Sequence, residues 1–435
     1  MARIKNKNRI GIGLLGLGVV GGGVARILTQ KAEVIARQAG CPVAINRILV
    51  RDLAKKRSVK VDPLLLTTNP QDIITDPDID IVIEVMGGES PALELIKESL
   101  LRGRHVITAN KEIMAKHGRE LLTLAHQQEV DILYEASVGA GIPLIATLKQ
   151  GLLANEITAI RAIINGTTNY ILTRMATEGL DFSTALRQAQ ELGYAEADPA
   201  DDVEGIDAAY KLAILATLAF HTEIRPQDVY HEGITRLAAR DFRYAKELGY
   251  AIKLLAIAKE TDQSVEVRIH PALIPEDLLL AKVDGVFNAI QVDGDLIGRL
   301  LFYGKGAGDL PTTSAVVADL IDLSQSITRG RSSQFQMTLD ASKSLKPFSE
   351  IETRYYLRMS VADRPGVLAQ IAKVLGDHSI SIASVIQKEA DVSAQTAEIV
   401  IMTHPSRELA IQKALQEMER LAVVKEIGNF IRVET

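Results

Sequence analysis

The sequence predicts an α/β protein in three parts: a parallel sheet wrapped by helices, a central α+β domain, and a C-terminal ferredoxin-like βαββαβ unit. Three observations carry that prediction. Short β-branched runs alternate with helical periodicity through the first third of the chain. Between about 140 and 300 long helices mix with strands, and the last stretch runs once through the order β, α, β, β, α, β. At 435 residues the chain is too long for one ordinary domain core, so two or three domains are expected.

In the first part, 1–138, the strand candidates are Ile10–Leu15, 43–50, 80–86, 105–109 and 130–135, each separated by helical pattern. The second part, 139–303, holds probable strands near 157–164, 251–260 and 264–270 and the apolar helix Ile206–Phe220. A segment at about 304–325 returns to complete the first domain. The stretch 326–351 is rich in Ser, Arg, Lys and Thr without a sustained apolar period, and it reads as a linker with a short strand. In the third part, 352–435, the elements fall at 354–361, 366–376, 380–387, 395–403, 406–421 and 424–433.

The 49 basic and 55 acidic residues are dispersed and leave a net charge of -6, which excludes a nucleic-acid footprint. The basic start of the chain, residues 1–9, precedes an apolar run that imitates a secretory leader, but its many glycines fit strand and turn better. No uninterrupted apolar run reaches membrane-spanning length. The single cysteine, Cys41, rules out a disulfide framework and a thiolate-rich metal site and favours a reducing, cytoplasmic setting.

Directly after the first strand comes Gly16-Leu17-Gly18-Val19-Val20-Gly21, followed by a helical run. In that context the three glycines serve a tight turn, close backbone approach to a pyrophosphate, and close helix-strand packing, with the helix N-terminus facing the phosphates. The first domain is therefore Rossmann-type, and its expected ligand is NADP or NAD. After the second strand stand Arg51 and Asp52: an acid there holds a ribose 2′-hydroxyl, an arginine a 2′-phosphate. Lys55, Lys56 and Arg57 tilt the balance toward NADP, although they equally fit a solvated basic helix start.

The most informative stretch runs from Glu191 to Leu215 and places Glu196, Asp198, Asp201, Asp202, Glu204 and Asp207 ahead of an apolar helix with one lysine, Lys211. Asp207 and Lys211 are spaced i, i+4 with the acid nearer the N-terminus, so they share a helix face. A lysine at the start of a buried helix beside a carboxylate is a candidate proton donor and acceptor. The alternatives are a helix salt bridge, and for the acids a solvated loop, since the calcium-loop spacing is missing.

Gly-Tyr-Ala-Glu-Ala-Asp-Pro, followed by Asp201, Asp207 and Lys211, resembles the signature of homoserine dehydrogenases. The segments 16–23, 109–111, 134–143, 164–170 and 303–312 also resemble that family's blocks, in its order. The resemblance implies reversible conversion of L-aspartate 4-semialdehyde and L-homoserine with NAD(P)H. It implies Lys211 as general acid/base with Lys111 assisting, and Glu196 and Asp207 at the substrate's amino group. It further implies Asp201, Asp202, Gly193 and Tyr194 as substrate-side support, and Thr108, Lys111, Gly193, Glu196 and Gly308 near the cofactor. Glu135 with the carbonyls of Val138, Ala140 and Ile142 resembles a site for a monovalent cation such as sodium, and a plain strand-to-helix turn accounts for the same residues equally well.

At the junction of the first strand and helix of the last unit, Asp363-Arg-Pro365-Gly366-Val367 resembles the ACT-domain motif. The resemblance implies a small amino-acid effector, L-threonine by family analogy, and side-by-side pairing into a homodimer or homotetramer. Two other readings compete. An aspartate-semialdehyde dehydrogenase needs a nucleophilic cysteine, and Cys41, just before Pro42 and the second strand, is poorly placed for it. A catalytically silent amino-acid sensor would have no use for both Lys111 and Lys211 beside an acidic cluster.

Overall fold

The computed structural model describes residues 8–57, 59–330, 339–340, 342–391 and 393–435. Residues 1–7 of the basic start, and 331–338 and 341 of the predicted linker, lie outside the described residues. Two compact units form. The first comprises Met1–Glu156, Ala213–Pro226 and Tyr303–Asp340, the second Ile157–Leu212, Gln227–Phe302 and Ala341–Thr435.

In the first unit the strands β1 (Ile10–Leu15), β2 (Val43–Leu49), β3 (Leu66–Thr67), β4 (Ile81–Glu84), β5 (His105–Thr108) and β6 (Ile132–Leu133) form one sheet in the order β3-β2-β1-β4-β5-β6. All five strand pairings of this sheet are parallel. Such a sheet is covered on both faces, which is why its central strands read as unbroken apolar runs rather than alternating ones. Ile10, Ile12, Leu14, Ile81, Ile83 and Ile107 are all fully buried. The helix Asp309–Thr328 closes this core with Ala315, Val316, Leu320 and Leu323, and Asp309 pairs with Arg26 of the first helix at 2.6 Å. The strand expected over 130–135 narrows to β6, because at Glu135 the chain turns off the ladder and donates its amide to Asp319 at 2.9 Å.

The second unit is organised by a single sheet. Its strands are β7 (Ile157–Ile163), β8 (Tyr230–His231), β9 (Tyr250–Thr261), β10 (Ser264–Pro275), β11 (Phe287–Gly294), β12 (Gly298–Lys305), β13 (Ser344–Leu345), β14 (Glu352–Ala362), β15 (Ile382–Asp391), β16 (Thr396–Thr403), β17 (Ser406–Arg407) and β18 (Val424–Val433). The main path is β12-β11-β7-β9-β10-β18-β14-β16-β15. Its last four members stand in the fourth-first-third-second order of a ferredoxin-like unit. That unit is continuous with the central strands, since β10 and β18 pair in parallel through Ala272 with Arg432 and Leu273 with Val433. Within the stretch read as a linker, β13 pairs with Ser264 and Val265 of β10 and the Phe348 ring stacks on Tyr230 with centroids 3.4 Å apart.

Buried charges line the β10–β18 junction. Arg432 donates to Glu408 at 2.6 and 2.9 Å and to Glu232 at 2.8 Å. Arg358 of β14 donates to Asp241 at 2.6 Å and to Glu398 at 3.1 Å. Beside Arg432, His270 is fully buried. Its Nδ1 donates to the Pro271 carbonyl at 2.9 Å and its Nε2 accepts from Arg268 at 3.1 Å, the tautomer this network requires. Burial, then the charges of Arg432 and Arg268, hold its pKa well below the ordinary histidine value.

Below about pH 6.5 the unfolded chain therefore takes up a proton at His270 that the folded chain refuses, so stability present above that pH is lost as the pH falls toward the depressed folded value. The urea midpoint should drop between about pH 7 and about pH 5, and His270→Gln, which keeps a donor and an acceptor, should flatten that drop. Equal pH dependence in the two proteins would show that His270 is not its source.

Candidate active site

The loop after β1 is shaped by backbone, not side chains. Gly16 has φ +102° and its amide donates to Leu49 at 3.1 Å. A Cβ at Gly21 would sit 2.1 Å from the Gly16 carbonyl oxygen, so no larger residue fits where helix and strand close on each other. Gly18 caps the helix Val19–Gln30 without any side-chain cap, and a Cβ there would meet nothing within 4 Å. Between them Leu17 and Val20 are partly buried while Val19 is exposed. A free helix N-terminus reached across open backbone is the cradle that a pyrophosphate fits. Gly308, with φ +118°, caps the neighbouring helix Asp309–Thr328 in the same way.

Beyond β2, Asp52 is spent on a local turn, accepting the Ala54 amide at 2.8 Å, and Arg57 folds back to donate to the carbonyls of Asp52, Leu53 and Lys55. Arg51 stays exposed, with no side-chain partner among the described residues.

At the far ends of β4 and β5 lies a group that sequence reasoning missed. Glu84 is completely buried, accepts the Met86 amide at 2.7 Å and the Thr108 hydroxyl at 2.6 Å, and burial pushes its carboxyl above the usual range. Thr108 Oγ1 in turn accepts the Asn110 amide at 3.0 Å, and Asn110 caps the helix Lys111–Gln127 through Ile113 at 3.2 Å. Lys111 is thus the first residue of a helix whose start is fixed by a buried acid. The only sequence signal was one Glu ending an apolar strand.

The lysine centre lies at the end of β7 in the second unit. Lys211 Nζ donates to Asp207 Oδ2 at 2.6 Å and to the Ile164 carbonyl at 3.0 Å, and both side chains are largely buried. Asn165 joins the acids: its Nδ2 donates to Asp202 at 2.6 Å and to Asp207 at 2.9 Å, while its Oδ1 caps the helix Gly166–Glu178 through the Thr168 amide at 2.9 Å. Asn165 lies in the family-like segment 164–170. Its signal was an Asn directly before Gly-Thr-Thr, a helix N-cap pattern.

The remaining acidic-loop residues spread outward. Gly193 has φ +74°, Tyr194 is half exposed with its ring 5.0 Å from Tyr170, and the Tyr194 carbonyl accepts the Thr167 hydroxyl at 2.7 Å. Glu196 is exposed, with its carbonyl held by Gln190 at 3.1 Å, and Asp201 is exposed on the short helix Ala200–Val203.

Glu135, in the first unit, accepts the amides of Leu144, Ile145 and Ala146 with its carboxylate at 2.6 to 2.9 Å, and so caps the turn that follows. The carbonyls of buried Val138, Ala140 and Ile142 accept no hydrogen bond among the described residues, so these three are the oxygens that a hard cation would find unpaired. Behind this loop burial pushes Asp319 up to about 8 and Lys149 down to about 8, with the Lys149 ammonium 4.1 Å from the Tyr134 ring centre. In the C-terminal unit Asp363 and Pro365 are exposed, Gly366 has φ +86° and caps the helix Val367–Asp377 without a side-chain cap, and Val367 is buried in the module core.

Other chemistries find no support. Cys41 is buried and its thiol is raised by that burial, then by Asp80, the reverse of an activated nucleophile. Among the described residues no group of three His, Cys, Asp or Glu could hold a metal, and no helix is long and apolar enough to cross a membrane.

Comparison with known proteins covers the whole chain. Family models for the homoserine dehydrogenase NAD-binding domain, for homoserine dehydrogenase and for the ACT domain match residues 16–135, 143–321 and 355–423. A homoserine dehydrogenase of Neisseria gonorrhoeae is 43% identical over 98% of this chain and 99% of its own, and one of Synechocystis 45% identical over 97% and 99%. The crystal structure of a homoserine dehydrogenase from Thiobacillus denitrificans superposes with a TM-score of 0.92 at 44% identity, covering 98% of both chains. A hyperthermophilic archaeal homoserine dehydrogenase in complex with NADPH matches 72% of this chain and 97% of its own, with a TM-score of 0.61 at 27% identity. The nucleotide cradle therefore serves a nicotinamide dinucleotide, the last unit is an ACT domain, and the chain belongs to the homoserine dehydrogenase family of oxidoreductases that act on a CH–OH group.

Proposed function

We propose that this enzyme interconverts L-aspartate 4-semialdehyde and L-homoserine with Lys211 as the group that gives and takes the substrate's proton. One observation carries the reading: an ammonium has three donors, and among the described residues two of those of Lys211 are committed, to Asp207 and to the Ile164 carbonyl. The third remains for a substrate oxygen. The nicotinamide cofactor, when bound, supplies the hydride. In the reductive direction the Lys211 ammonium protonates the developing alkoxide; in the oxidative direction the neutral amine takes the hydroxyl proton. Asp207 keeps the ammonium oriented and offers, with Glu196, the negative charge that a substrate ammonium seeks. Asp201, Asp202, Gly193 and Tyr194 shape the same loop, and Lys111 assists from its fixed helix start.

NADP is the preferred cofactor in this reading. Among the described residues the exposed Arg51 after β2 has no side-chain partner, Asp52 is occupied by its own turn, and the archaeal relative was captured with NADPH. A monovalent cation takes the carbonyls of Val138, Ala140 and Ile142. The loop from Asp363 to Val367 takes an amino-acid effector, L-threonine by analogy, in a cytoplasmic homodimer or homotetramer.

Lys211→Ala should lower kcat by roughly a hundredfold or more while the Kd of NADP changes less than about twofold. Turnover close to wild type would remove Lys211 from the chemistry. Arg51→Ala should raise the KM of NADP by about tenfold and leave that of NAD nearly unchanged, the size expected for one charge-assisted contact to a 2′-phosphate; a parallel rise for both cofactors would show that Arg51 does not read the 2′-phosphate. Replacing sodium with tetramethylammonium at constant ionic strength should depress activity, and added L-threonine should inhibit wild type but not Asp363→Ala. Indifference to either treatment would overturn the corresponding site.

A further inference from the structure

Glu434 follows β18 at the junction between the ACT unit and the central strands, and its carboxylate gathers cations from three consecutive strands. Oε1 accepts from Arg161 Nε of β7 at 3.0 Å and meets Lys259 of β9, and Oε2 accepts from Arg268 of β10 at 2.9 Å. Arg161 and Arg268 both stand opposite Ile257 of β9, so the two guanidinium groups flank one residue on one face of the sheet. Glu434 is 3% exposed, and against its burial the charges of Arg268, Lys259 and Arg161 hold its carboxyl below the usual range. The neighbouring titratable groups are Glu266 beside Arg268, His270, and Asp293 of β11, which accepts from Arg161 at 2.7 Å.

β7 runs from Arg161 straight into the lysine centre. Three residues after Arg161 comes the Ile164 carbonyl that holds Lys211, and the next residue is Asn165, which holds Asp202 and Asp207. That distance along the strand is roughly 10 Å. β7 is paired on both sides, by β11 and β9, so a displacement at Arg161 is carried along a stiff strand instead of being absorbed in a loop.

We propose that Glu434 is a positioning residue for the homoserine reaction: through Arg161 it sets where β7 delivers the Ile164 carbonyl and Asn165, and so where Lys211 stands. The ACT unit thereby contributes a group on which the geometry of the reacting centre depends, in addition to any effector it takes. The inference rests on the reading of Lys211 as the proton-transfer group. Without the carboxylate, Arg161, Lys259 and Arg268 repel one another in a site with little water, and β7 is the strand whose shift the active centre feels.

The test is a double-mutant cycle in the full-length enzyme with Glu434→Gln, Arg161→Gln and the pair, alongside Glu434→Asp and Lys211→Ala. Glu434→Gln should lower kcat roughly tenfold, the scale of coupling between connected residues, with the KM of NADP changed less than about twofold. The kcat–pH profile should move toward lower pH, because losing a buried negative charge favours the neutral lysine. The pair should be no slower than the slower single variant, and Glu434→Asp should recover part of the loss. Wild-type kcat and pH profile in Glu434→Gln, or losses that simply multiply in the pair, would overturn the positioning role. Where Glu434→Gln does not fold, the aspartate variant and the pair decide by the same criteria. Turnover retained in Lys211→Ala sinks the proton-transfer reading on its own, whereas an inert Glu434→Gln leaves that reading standing.

Discussion

An ammonium group held with little access to water is the constraint around which the second unit is built. Lys211 would be costly to bury alone, and Asp207 would be costly without it. Each is acceptable because it meets a partner at hydrogen-bond distance, and Asn165 then satisfies Asp207 and Asp202 together from one side-chain amide. Those contacts require β7 to end where it does and the helix Gly166–Glu178 to start one residue later. They also require the helix Ile206–Phe220 to bring Asp207 and Lys211 onto one face. The apolar character of the rest of that helix follows from the same need, since it must be buried to keep its first turn in place.

The C-terminal unit solves a related problem with more charges. Parallel pairing of β10 with β18 joins the central strands and the ACT strands into one sheet, at a place where Arg432, Arg268, Arg358, Glu408, Glu434 and Asp241 are all buried. Apolar residues of similar volume often give equal or greater stability than buried ion pairs, so stability alone does not explain the choice. Charge pairs instead make the junction sensitive to register. A one-residue slip of a strand sends its side chains to the opposite face and would leave every arginine there without its carboxylate. The ACT unit is therefore locked to the central strands in one alignment.

Much of this architecture was legible in the sequence, and the reasons are physical. β1, the glycine loop and the following helix could be read together because a nucleotide cradle needs glycine where backbone must approach backbone, as the 2.1 Å clash at Gly21 shows. The i, i+4 spacing of Asp207 and Lys211 translated directly into a 2.6 Å contact because helix geometry is local. The six elements of the last unit were found in order for the same reason. What could not be read were the partners brought in by tertiary pairing. Asn165 is 42 residues from Asp207, Glu84 is 24 from Thr108, and Glu434 is 273 from Arg161. No local pattern marks such residues. The β10–β18 pairing was equally hidden, since a polar stretch between two domains reads as a separator whether or not the strands beyond it rejoin.

The same distinction bears on the chemistry. Hydride transfer to or from a carbon needs no covalent enzyme intermediate, only a group to handle the proton on oxygen. The chain's one cysteine is buried with a raised thiol, and its acids and lysine are arranged in reciprocal hydrogen bonds that make nothing nucleophilic toward carbon. A serine or cysteine nucleophile would be activated by an adjacent base drawing off its proton. Here the carboxylate accepts a hydrogen bond from the lysine nitrogen and orients it, the arrangement that the proposed proton transfer to an alkoxide uses. The hydrogen bond from Lys211 to Asp207 suits a centre that passes a proton to or from a substrate oxygen, the step that the proposed carbonyl reduction needs.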